Sequence, residues 1–321
     1  MDALKLVAPS LASPLSRGAA AAAPMDARAF CLMLCLCTLW GLQQVSLKAV
    51  STQASPMLMI ALRSLLALGL LAALMRGQRQ GLQRVNWPAG GLAGALFGLE
   101  FLLVAQALQW TKAAHVVVFL YTSPLFTAVG LHVLHPAERL RPRAWLGLAL
   151  AFVGLALAFL GGAQGPAVAQ RALLGDALAL LAGLAMGATT VAIRCSRLSS
   201  APATETLCYQ LIGAAVLLLP AAALTGQAHW AATPAVWAHL AFQAVVVSFG
   251  SFLAWFWLLR RYLASRLGAF SFLTPLFGVA LGAALLGEAL TPSFLAGSSL
   301  VLLGVAAANW PAVQPGSRSP L

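Results

Sequence analysis

The chain has 321 residues, of which 61% are hydrophobic and only 8% are charged, and its mean hydropathy is +0.90. Soluble domains carry roughly 25% charged residues, so this composition excludes an ordinary soluble globular protein and indicates a protein embedded in lipid. The net charge of +12 does not indicate a nucleic-acid partner, because the basic residues lie between apolar runs and form no clustered patch.

Residues 1–29 are predicted to be a loose cytosolic tail, and ten apolar runs follow them. Each run has about 20 residues, the length that a helix needs to cross a bilayer with all its backbone groups paired. The runs lie at 30–50, 56–75, 90–110, 113–134, 144–161, 173–194, 203–224, 236–258, 266–286 and 293–310. A second cytosolic tail is predicted at 311–321. The predicted fold class is therefore an all-α integral membrane protein with ten transmembrane helices.

The basic residues predict the orientation of these helices. With a cytosolic amino-terminal tail, 15 of the 19 Lys and Arg residues fall on the inner side, Arg63 lies within a span, and only Lys48, Lys112 and Arg171 fall outside. Cytosolic loops of membrane proteins carry such an excess of Lys and Arg. We therefore expect a multi-pass protein with both termini in the cytoplasm. The abundance of Arg and Ala is typical of a GC-rich bacterium and favours the bacterial inner (plasma) membrane.

The two halves of the chain, 30–162 and 173–310, resemble each other. FLYTSPLF (119–126) matches SFLTPLFG (271–278). Five further pairs share an offset of 150, namely Glu138 with Glu288, Leu140 with Leu290, Pro142 with Pro292, Gly147 with Gly297, and Gly154 with Gly304. Each half holds five predicted helices, and an odd number inverts the second half relative to the first. Inverted repeats are typical of secondary transporters, whose halves expose a central site alternately to each side.

This doubled set of motifs resembles the drug/metabolite transporter superfamily, specifically its EamA type with two five-helix repeats. The resemblance is carried by Trp40-Gly41 followed by Lys48, Arg63, the Pro124 helix with Glu138-Arg139-Leu140, and the Pro275 helix with Gly287-Glu288. It implies ten helices with cytosolic ends, a central cavity between the repeats, and transport, often export, of amino acids or other small metabolites. It does not name a solute.

Glu100 is the sharpest functional candidate, because it lies in the middle of the third predicted helix. An ionisable residue at that depth costs at least about 2.5 kcal/mol on insertion scales. We expect it to face the cavity as a proton-coupling or cation-binding carboxylate; the alternative is a protonated side chain hydrogen-bonded to a neighbouring helix. Arg63 is expected either to pair with Glu100 or to bind a carboxylate of the solute.

Polar and aromatic stripes on two helices suggest further residues that bind the solute or a proton. They are Trp40, Gln43, Gln44 and Lys48 in the first helix and Ser248, Ser251 and Trp255 in the eighth, to which Tyr121 of the fourth helix is added. Interhelical packing is the simpler explanation for any single member. The side chain of Lys48 can also extend to the outer headgroups.

Pro124 and Pro275 occupy equivalent places in the fourth and ninth helices. Proline removes a backbone hydrogen bond and kinks a helix, and the neighbouring residues Thr122, Ser123 and Thr274 can satisfy the carbonyls that it frees. We interpret the pair as a hinge; a static bend is the alternative.

Several other residues are expected to be structural. Glu138 and Glu288 lie in predicted turns, where helix-end amides or arginines can donate to them, and Asp176 is expected in the first turn of the sixth helix. His115 is expected to be a satisfied polar residue near the outer end. Four glycines are spaced for close helix packing or a homodimer interface; they are Gly147, Gly154, Gly297 and Gly304.

No sequence motif indicates an enzyme or a self-contained pump. The chain holds no GxSG paired with a membrane His, no GxGD, no HExxH and no phosphate-binding loop. Its five cysteines predict neither a metal site nor a disulfide framework, so no catalytic residue, metal or cofactor is expected. The predicted function is alternating-access transport of a small amphipathic metabolite such as an amino acid, with export and proton coupling as finer expectations. A lipid-handling or structural membrane protein without solute transport is the alternative.

Overall fold

The computed structural model of the protein describes residues 26–111, 113–159, 169–286 and 290–310. Most of the two predicted tails lies outside the described residues, as do Lys112 and Gly287-Glu288, for which the sequence made predictions.

Ten apolar helices long enough to cross a membrane make up most of the described chain. They are α1 (Ala27–Ala49), α2 (Pro56–Gly77), α3 (Trp87–Ala107), α4 (Ala113–Leu120 and Ser123–Leu134), α5 (Pro142–Phe159), α6 (Ala169–Arg194), α7 (Ala203–Leu224), α8 (Pro234–Leu259), α9 (Ala264–Phe270 and Leu273–Leu286) and α10 (Pro292–Asn309). The described ranges contain no strand, and an isolated bridge joins Ala54 to Trp230. The predicted all-α fold with ten membrane-spanning helices is confirmed.

Side-chain caps explain where four of the helices begin. In each case a side-chain oxygen accepts a hydrogen bond from the backbone amide three residues later, which satisfies a donor that the first turn leaves unpaired. The four caps are Asp26, Ser55, Thr233 and Thr291. Proline follows the cap in α2, α8 and α10, at a position where its missing amide costs nothing.

Seven of the ten helices begin one to four residues before the predicted position, α6 and α1 among them. α6 begins at Ala169 and not at 173, so Asp176 lies beyond its first turn, and α1 begins at Ala27, inside the predicted tail. In both cases the hydropathy falls near an arginine, Arg171 or Arg28, while the helical hydrogen bonding continues through it. Hydropathy locates the apolar part of a helix, whereas its ends depend on capping and backbone hydrogen bonds.

Contacts between loops define two ends of the bundle. At the proximal end, where α1 begins, the Tyr262 hydroxyl of the α8–α9 loop donates to Asp26 at 3.0 Å. At the distal end, where α1 ends, the backbone amide of Ala231 in the α7–α8 loop donates to the carbonyl of Gln53 at 2.7 Å. Both contacts join the first repeat to the second.

Helices of one repeat pack mainly on helices of the other. α1 packs against α9, α4 against α6, and α5 against α10, as expected for two inverted repeats. The α5–α10 contact is made through the four spaced glycines, and a Cβ added to Gly154 would lie 2.7 Å from the carbonyl oxygen of Gly297. These glycines are occupied by packing within one chain, so they are not available to a second copy. The homodimer stays a prediction.

α4 and α9 are each interrupted at an equivalent place. The interruptions fall at residues 121–122 and 271–272, and Pro124 and Pro275 follow them. The hydroxyl groups of Thr122 and Ser271 donate to the carbonyl oxygens of Phe119 and Gly268 at 2.6 and 2.5 Å. Each of these carbonyl oxygens also accepts a hydrogen bond from the backbone amide of the same residue, Thr122 at 3.2 Å and Ser271 at 3.1 Å. A hinge motion at these places stays a prediction.

α8 contains a π-helical segment, Phe242–Ser251, between two α-helical parts. A π-helical turn rotates the following side chains around the helix, and such turns are frequent at functional sites. Here the polar residues Gln243, Ser248 and Ser251 of the segment are all buried in the bundle.

Candidate functional site

A cavity lies between the two repeats and is lined by residues of α1, α3, α4 and α6 to α9. The empty space within it is about 1030 Å³, which includes space open to solvent at its mouth. The lining residues come from the middle of α1, α3 and α4 and from the proximal parts of α6, α7, α8 and α9. The cavity thus extends from the centre of the bundle towards its proximal end.

Seven of the twelve predicted site residues line this cavity. They are Trp40, Gln43, Gln44, Glu100, Tyr121, Pro124 and Trp255. Sequence reasoning therefore brought together residues of four helices that the structure places around one space.

Glu100 lies in the centre of α3 and lines the cavity, with only 6% of its surface exposed. No residue of the described ranges hydrogen-bonds to its carboxylate. A hydrogen bond to a neighbouring helix, the alternative considered from the sequence, is not seen in this part of the chain. The carboxylate is therefore positioned to bind a group that enters the cavity.

Arg63 lies behind the cavity wall and does not line it. Its side chain is 1% exposed, and its Nη1 donates to Oε1 of Gln243 at 2.6 Å. Nε2 of Gln243 in turn donates to the backbone carbonyl of Gln43 at 3.0 Å, so a buried polar chain connects α2, α8 and α1. The guanidinium carbon also lies 5.5 Å from the centre of the Phe101 ring. None of these contacts is with Glu100, so pairing with Glu100 and binding of a solute carboxylate both stay predictions for Arg63.

The remaining predicted residues lie outside the cavity lining. Ser251 is buried and accepts a hydrogen bond from Nε1 of Trp40 at 3.0 Å, which holds the Trp40 ring against Trp255 with centroids 5.6 Å apart. Ser248 is fully buried in the π-helical segment, and Pro275 lies in the second part of α9. Lys48 is exposed near the distal end of α1.

Sequence reasoning missed a set of aromatic residues beside Glu100. Phe97 and Phe101 precede and follow it in α3, and Phe252 faces them from α8. The ring centroids of Phe97 lie 5.1 Å from Phe101 and 5.9 Å from Phe252, in edge-to-face geometry. Phenylalanines in an apolar helix carry no polar signal, so only their spacing of four residues around Glu100 could have identified them.

Gln243 and Gln210 were also missed. Gln243 connects Arg63 to α1 as described above, and Gln210 of α7 lines the cavity. Gln243 is an isolated polar residue in an apolar run, the signal that identified Glu100, whereas Gln210 follows Thr204, Glu205 and Thr206 at the polar start of α7.

Glu138 connects three elements at the proximal end. It is fully buried, and its carboxylate accepts hydrogen bonds from Nε of Arg194 at 3.0 Å, from the backbone amide of Ala264 at 3.0 Å and from the Ser265 hydroxyl at 2.8 Å. An arginine and the first amides of α9 thus donate to it, in the role expected from its place in a turn.

Asp176 has a different role from the one expected. Its carboxylate accepts a hydrogen bond from the Thr111 hydroxyl at 2.6 Å and lies 3.1 Å from Nδ1 of His115. It therefore joins the start of α6 to the start of α4 across the two repeats at the distal end, instead of stabilising a first helical turn. Within the described residues, no group of three or more His, Cys, Asp or Glu side chains is arranged to hold a metal ion.

A sequence model of the EamA-like transporter family matches residues 27–160 and, a second time, residues 173–310. The chain belongs to the EamA-like transporter family. Both halves match the same family, so the two-repeat architecture predicted from the sequence is confirmed. This protein is therefore a transporter of the multi-pass membrane class.

Two further similarities extend over most of the chain. The uncharacterized transporter YoaV of Bacillus subtilis (strain 168) is 24% identical over 278 residues, which cover 83% of this chain and 91% of that protein. A solved structure named only "Crystal structure of protein" has a TM-score of 0.76 and 20% identity, and the match covers 88% of this chain and 97% of that one. At this identity the second similarity shows the shared fold of this EamA-like transporter.

Proposed function

We propose that this EamA-like transporter moves a small amphipathic solute, such as an amino acid or a related metabolite, by alternating access of the cavity between its repeats. The observation that carries the proposal is the Glu100 carboxylate, which faces the cavity at mid-membrane depth. Membrane-embedded acids are costly and mark pathways for ions, protons or substrates. A proton or a positively charged group of the solute offsets the cost here.

A single carboxylate of this kind supports coupling to protons. Glu100 binds either a proton or a cationic group of the solute, and the two exclude each other at one site. Release of the proton on one side and of the solute on the other then gives exchange in opposite directions.

The shape of the cavity supports export. It extends towards the proximal end, and the loops at that end carry most of the basic residues, which favours a cytosolic location for that end in a bacterial inner membrane. The distal end is closed by contacts between the repeats, such as Asp176 with Thr111 and Ala231 with Gln53. Solute would enter the cavity from the cytosol and leave when the distal contacts separate. The interruptions at Pro124 and Pro275 supply the proposed hinges.

The test is solute exchange in proteoliposomes. A thermal-shift screen of the purified protein against amino acids, amines and nucleosides selects the solute, and counterflow of that solute is then measured for the wild type, Glu100→Gln and Asp26→Asn. Both substitutions convert a carboxylate to an amide, but Asp26 lies outside the cavity at the proximal surface. We expect Glu100→Gln to abolish exchange or its pH dependence and Asp26→Asn to retain both.

Unchanged exchange and pH response in a folded Glu100→Gln protein would remove Glu100 from the mechanism. Movement of labelled lipid between leaflets without any solute exchange would support a lipid-handling protein instead.

A further inference from the structure

We infer that the cavity recognises an organic cation, a protonated amine with an aromatic or apolar body and without a carboxylate group. This inference rests on the proposed function, because it specifies the solute of the same site. It narrows the solute from amphipathic metabolites in general, zwitterionic amino acids included, to one charge class.

The charges around the cavity are the first argument. Among the described residues that line the cavity, Glu100 is the charged one, and none of them is Lys or Arg. A solute ammonium group that enters the cavity therefore meets a carboxyl group and no fixed cation. A solute carboxylate would meet only neutral donors and would lie in the same space as the Glu100 carboxylate. Like charges in a site of low polarity repel strongly, so an anionic or zwitterionic solute is disfavoured.

The position of Arg63 is the second argument. From the sequence, Arg63 was the cation expected to bind a carboxylate of the solute. A solute with a carboxylate would need the Arg63 guanidinium for this purpose. The Nη1 group of Arg63 is already bonded to Gln243, the side chain is 1% exposed, and the guanidinium carbon lies 5.5 Å from the Phe101 ring centre. Reaching the cavity would break this buried network and leave Gln243 without its partner. Arg63 therefore sets the charge balance from behind the wall and does not contact the solute.

The aromatic lining is the third argument. Trp40, Trp255, Phe97 and Phe252 all line the cavity that holds Glu100. The faces of such rings carry negative potential and attract cations, whereas they repel anions. The hydrogen bond from Nε1 of Trp40 to Ser251 holds one of these rings in a fixed orientation before any solute binds. A cavity that holds a carboxyl group and is lined by aromatic rings is complementary to an ammonium group attached to an apolar body.

A matched set of three probes tests this inference. Phenethylamine, phenylalanine and phenylacetate share a phenyl ring and differ in charge, being respectively cationic, zwitterionic and anionic. Binding of each to the purified full-length protein is measured by titration calorimetry at about pH 8, below the pKa of an alkylammonium group. We expect phenethylamine to bind about tenfold more tightly than either other probe, the scale of a desolvated cation–aromatic contact.

Two variants test whether the preference for phenethylamine depends on the Glu100 carboxyl group. Glu100→Gln should lose the preference for phenethylamine, and Asp26→Asn should retain it. The thermal midpoint of each variant shows that it is folded, and the wild-type comparison of the three probes tests the inference even without a stable Glu100→Gln protein.

Equal or tighter binding of phenylalanine or phenylacetate would overturn the inference, and so would a lack of binding by all three. Exchange of phenylalanine or phenylacetate in proteoliposomes would overturn the cationic class while the proposed transport function stands. Absence of exchange for every solute found by the thermal-shift screen would contradict the proposed function itself.

Discussion

At the scale of single residues, the buried carboxylate of Glu138 shows how a turn residue holds the proximal end together. It accepts hydrogen bonds from Arg194 of α6 and from the first amides of α9, so three elements depend on one side chain. Losing one member of a buried ion pair leaves the other charge desolvated and unpaired, which is costlier than losing the attraction itself.

We expect Glu138→Ala to lower the free energy of unfolding by about 3–5 kcal/mol, because it leaves Arg194 without its buried counter-charge. Arg139→Ala, at the neighbouring exposed position, is the control and should change stability by about 0.5 kcal/mol or less. Thermal unfolding in detergent measures both. Similar midpoints for the two variants would show that the Glu138 cluster contributes little to the fold.

Asp26 gives a residue-scale prediction about pH. It lies before α1, and the backbone amide of Ala29, with help from the Tyr262 hydroxyl, lowers the pKa of its carboxyl group. Since the pKa is lower in the folded state than in the unfolded state, the ionised cap stabilises the protein above the unfolded pKa, and this stabilisation is lost as the pH falls through the folded pKa.

The Asp26→Asn variant keeps a capping side chain but cannot ionise. We expect the wild type to be more stable than this variant at neutral pH and to lose that advantage as the pH falls below about 4, near the ordinary pKa of aspartate. Thermal midpoints of both proteins across this pH range measure the difference. A difference that stays constant with pH would show that ionisation of Asp26 does not contribute to the stability of the protein.

At the scale of elements, the interruption of α4 depends on a close approach by α6. A Cβ added to Gly183 of α6 would lie 2.6 Å from the carbonyl oxygen of Phe119 and 2.6 Å from the Thr122 hydroxyl. These are the two groups that bond to each other where α4 is interrupted. Any side chain at position 183 therefore pushes against the backbone of the proposed hinge.

We expect Gly183→Ala to destabilise the protein by about 1–3 kcal/mol through overpacking of this contact. Gly69→Ala is the matched control, since the added Cβ meets no atom within 4 Å on α2. It should raise stability by about 0.5–1 kcal/mol, because glycine is unfavourable inside a helix. Thermal unfolding compares the two variants, and a neutral Gly183→Ala would mean that α4 moves away from α6 at little cost.

The π-helical part of α8 shows that element geometry also selects the residues of the site. It buries Gln243, Ser248 and Ser251 together, and two of them hold Arg63 and Trp40 in place. A regular α-helix would rotate the later residues of this segment away from these partners. The helical spacing assumed from the sequence placed Ser248 and Ser251 in the cavity wall, whereas the structure places both behind it.

At the scale of the whole molecule, alternating access requires the distal contacts to separate. Ala54 and Trp230 form an antiparallel bridge between loops of the two repeats at this end. Antiparallel bridge partners have Cα atoms about 4.5–5.5 Å apart, which fits the geometry of a disulfide.

We expect oxidation of an Ala54→Cys, Trp230→Cys double variant to stop solute exchange in proteoliposomes and reduction to restore it. The Ala54→Cys single variant, treated in the same way, is the control and should stay active throughout. Full exchange through the oxidised double variant would show that the distal end need not open.

Orientation is the other property of the whole molecule that an experiment settles directly. Cysteines introduced at exposed positions of opposite ends, Ser200→Cys in a proximal loop and Ala228→Cys in a distal loop, are labelled in intact cells with a reagent that cannot cross the membrane. We expect labelling of Ala228→Cys only. The opposite result would place the termini outside and reverse the direction that the cavity supports.

The sequence by itself determined the membrane class, the number of helices, the doubling of the chain and the depth of Glu100. These properties follow from one-dimensional features, namely the length of apolar runs, the sign of the charges between them and the recurrence of a motif, and lipid imposes them directly on the chain. The sequence also identified seven residues of the cavity lining, from an embedded acid, from polar and aromatic stripes and from a repeated proline.

Only the tertiary structure decided which faces of the helices contact each other. In a membrane helix the side that faces lipid and the side that faces protein are both apolar, so hydrophobic periodicity carries little information about which residues are buried. Arg63 turned out to bond to Gln243 across the bundle, and phenylalanines that no polar pattern marks turned out to line the same cavity as Glu100. These contacts depend on side chains from distant parts of the chain meeting in space, and on a π-helical turn in α8 that shifts the register locally.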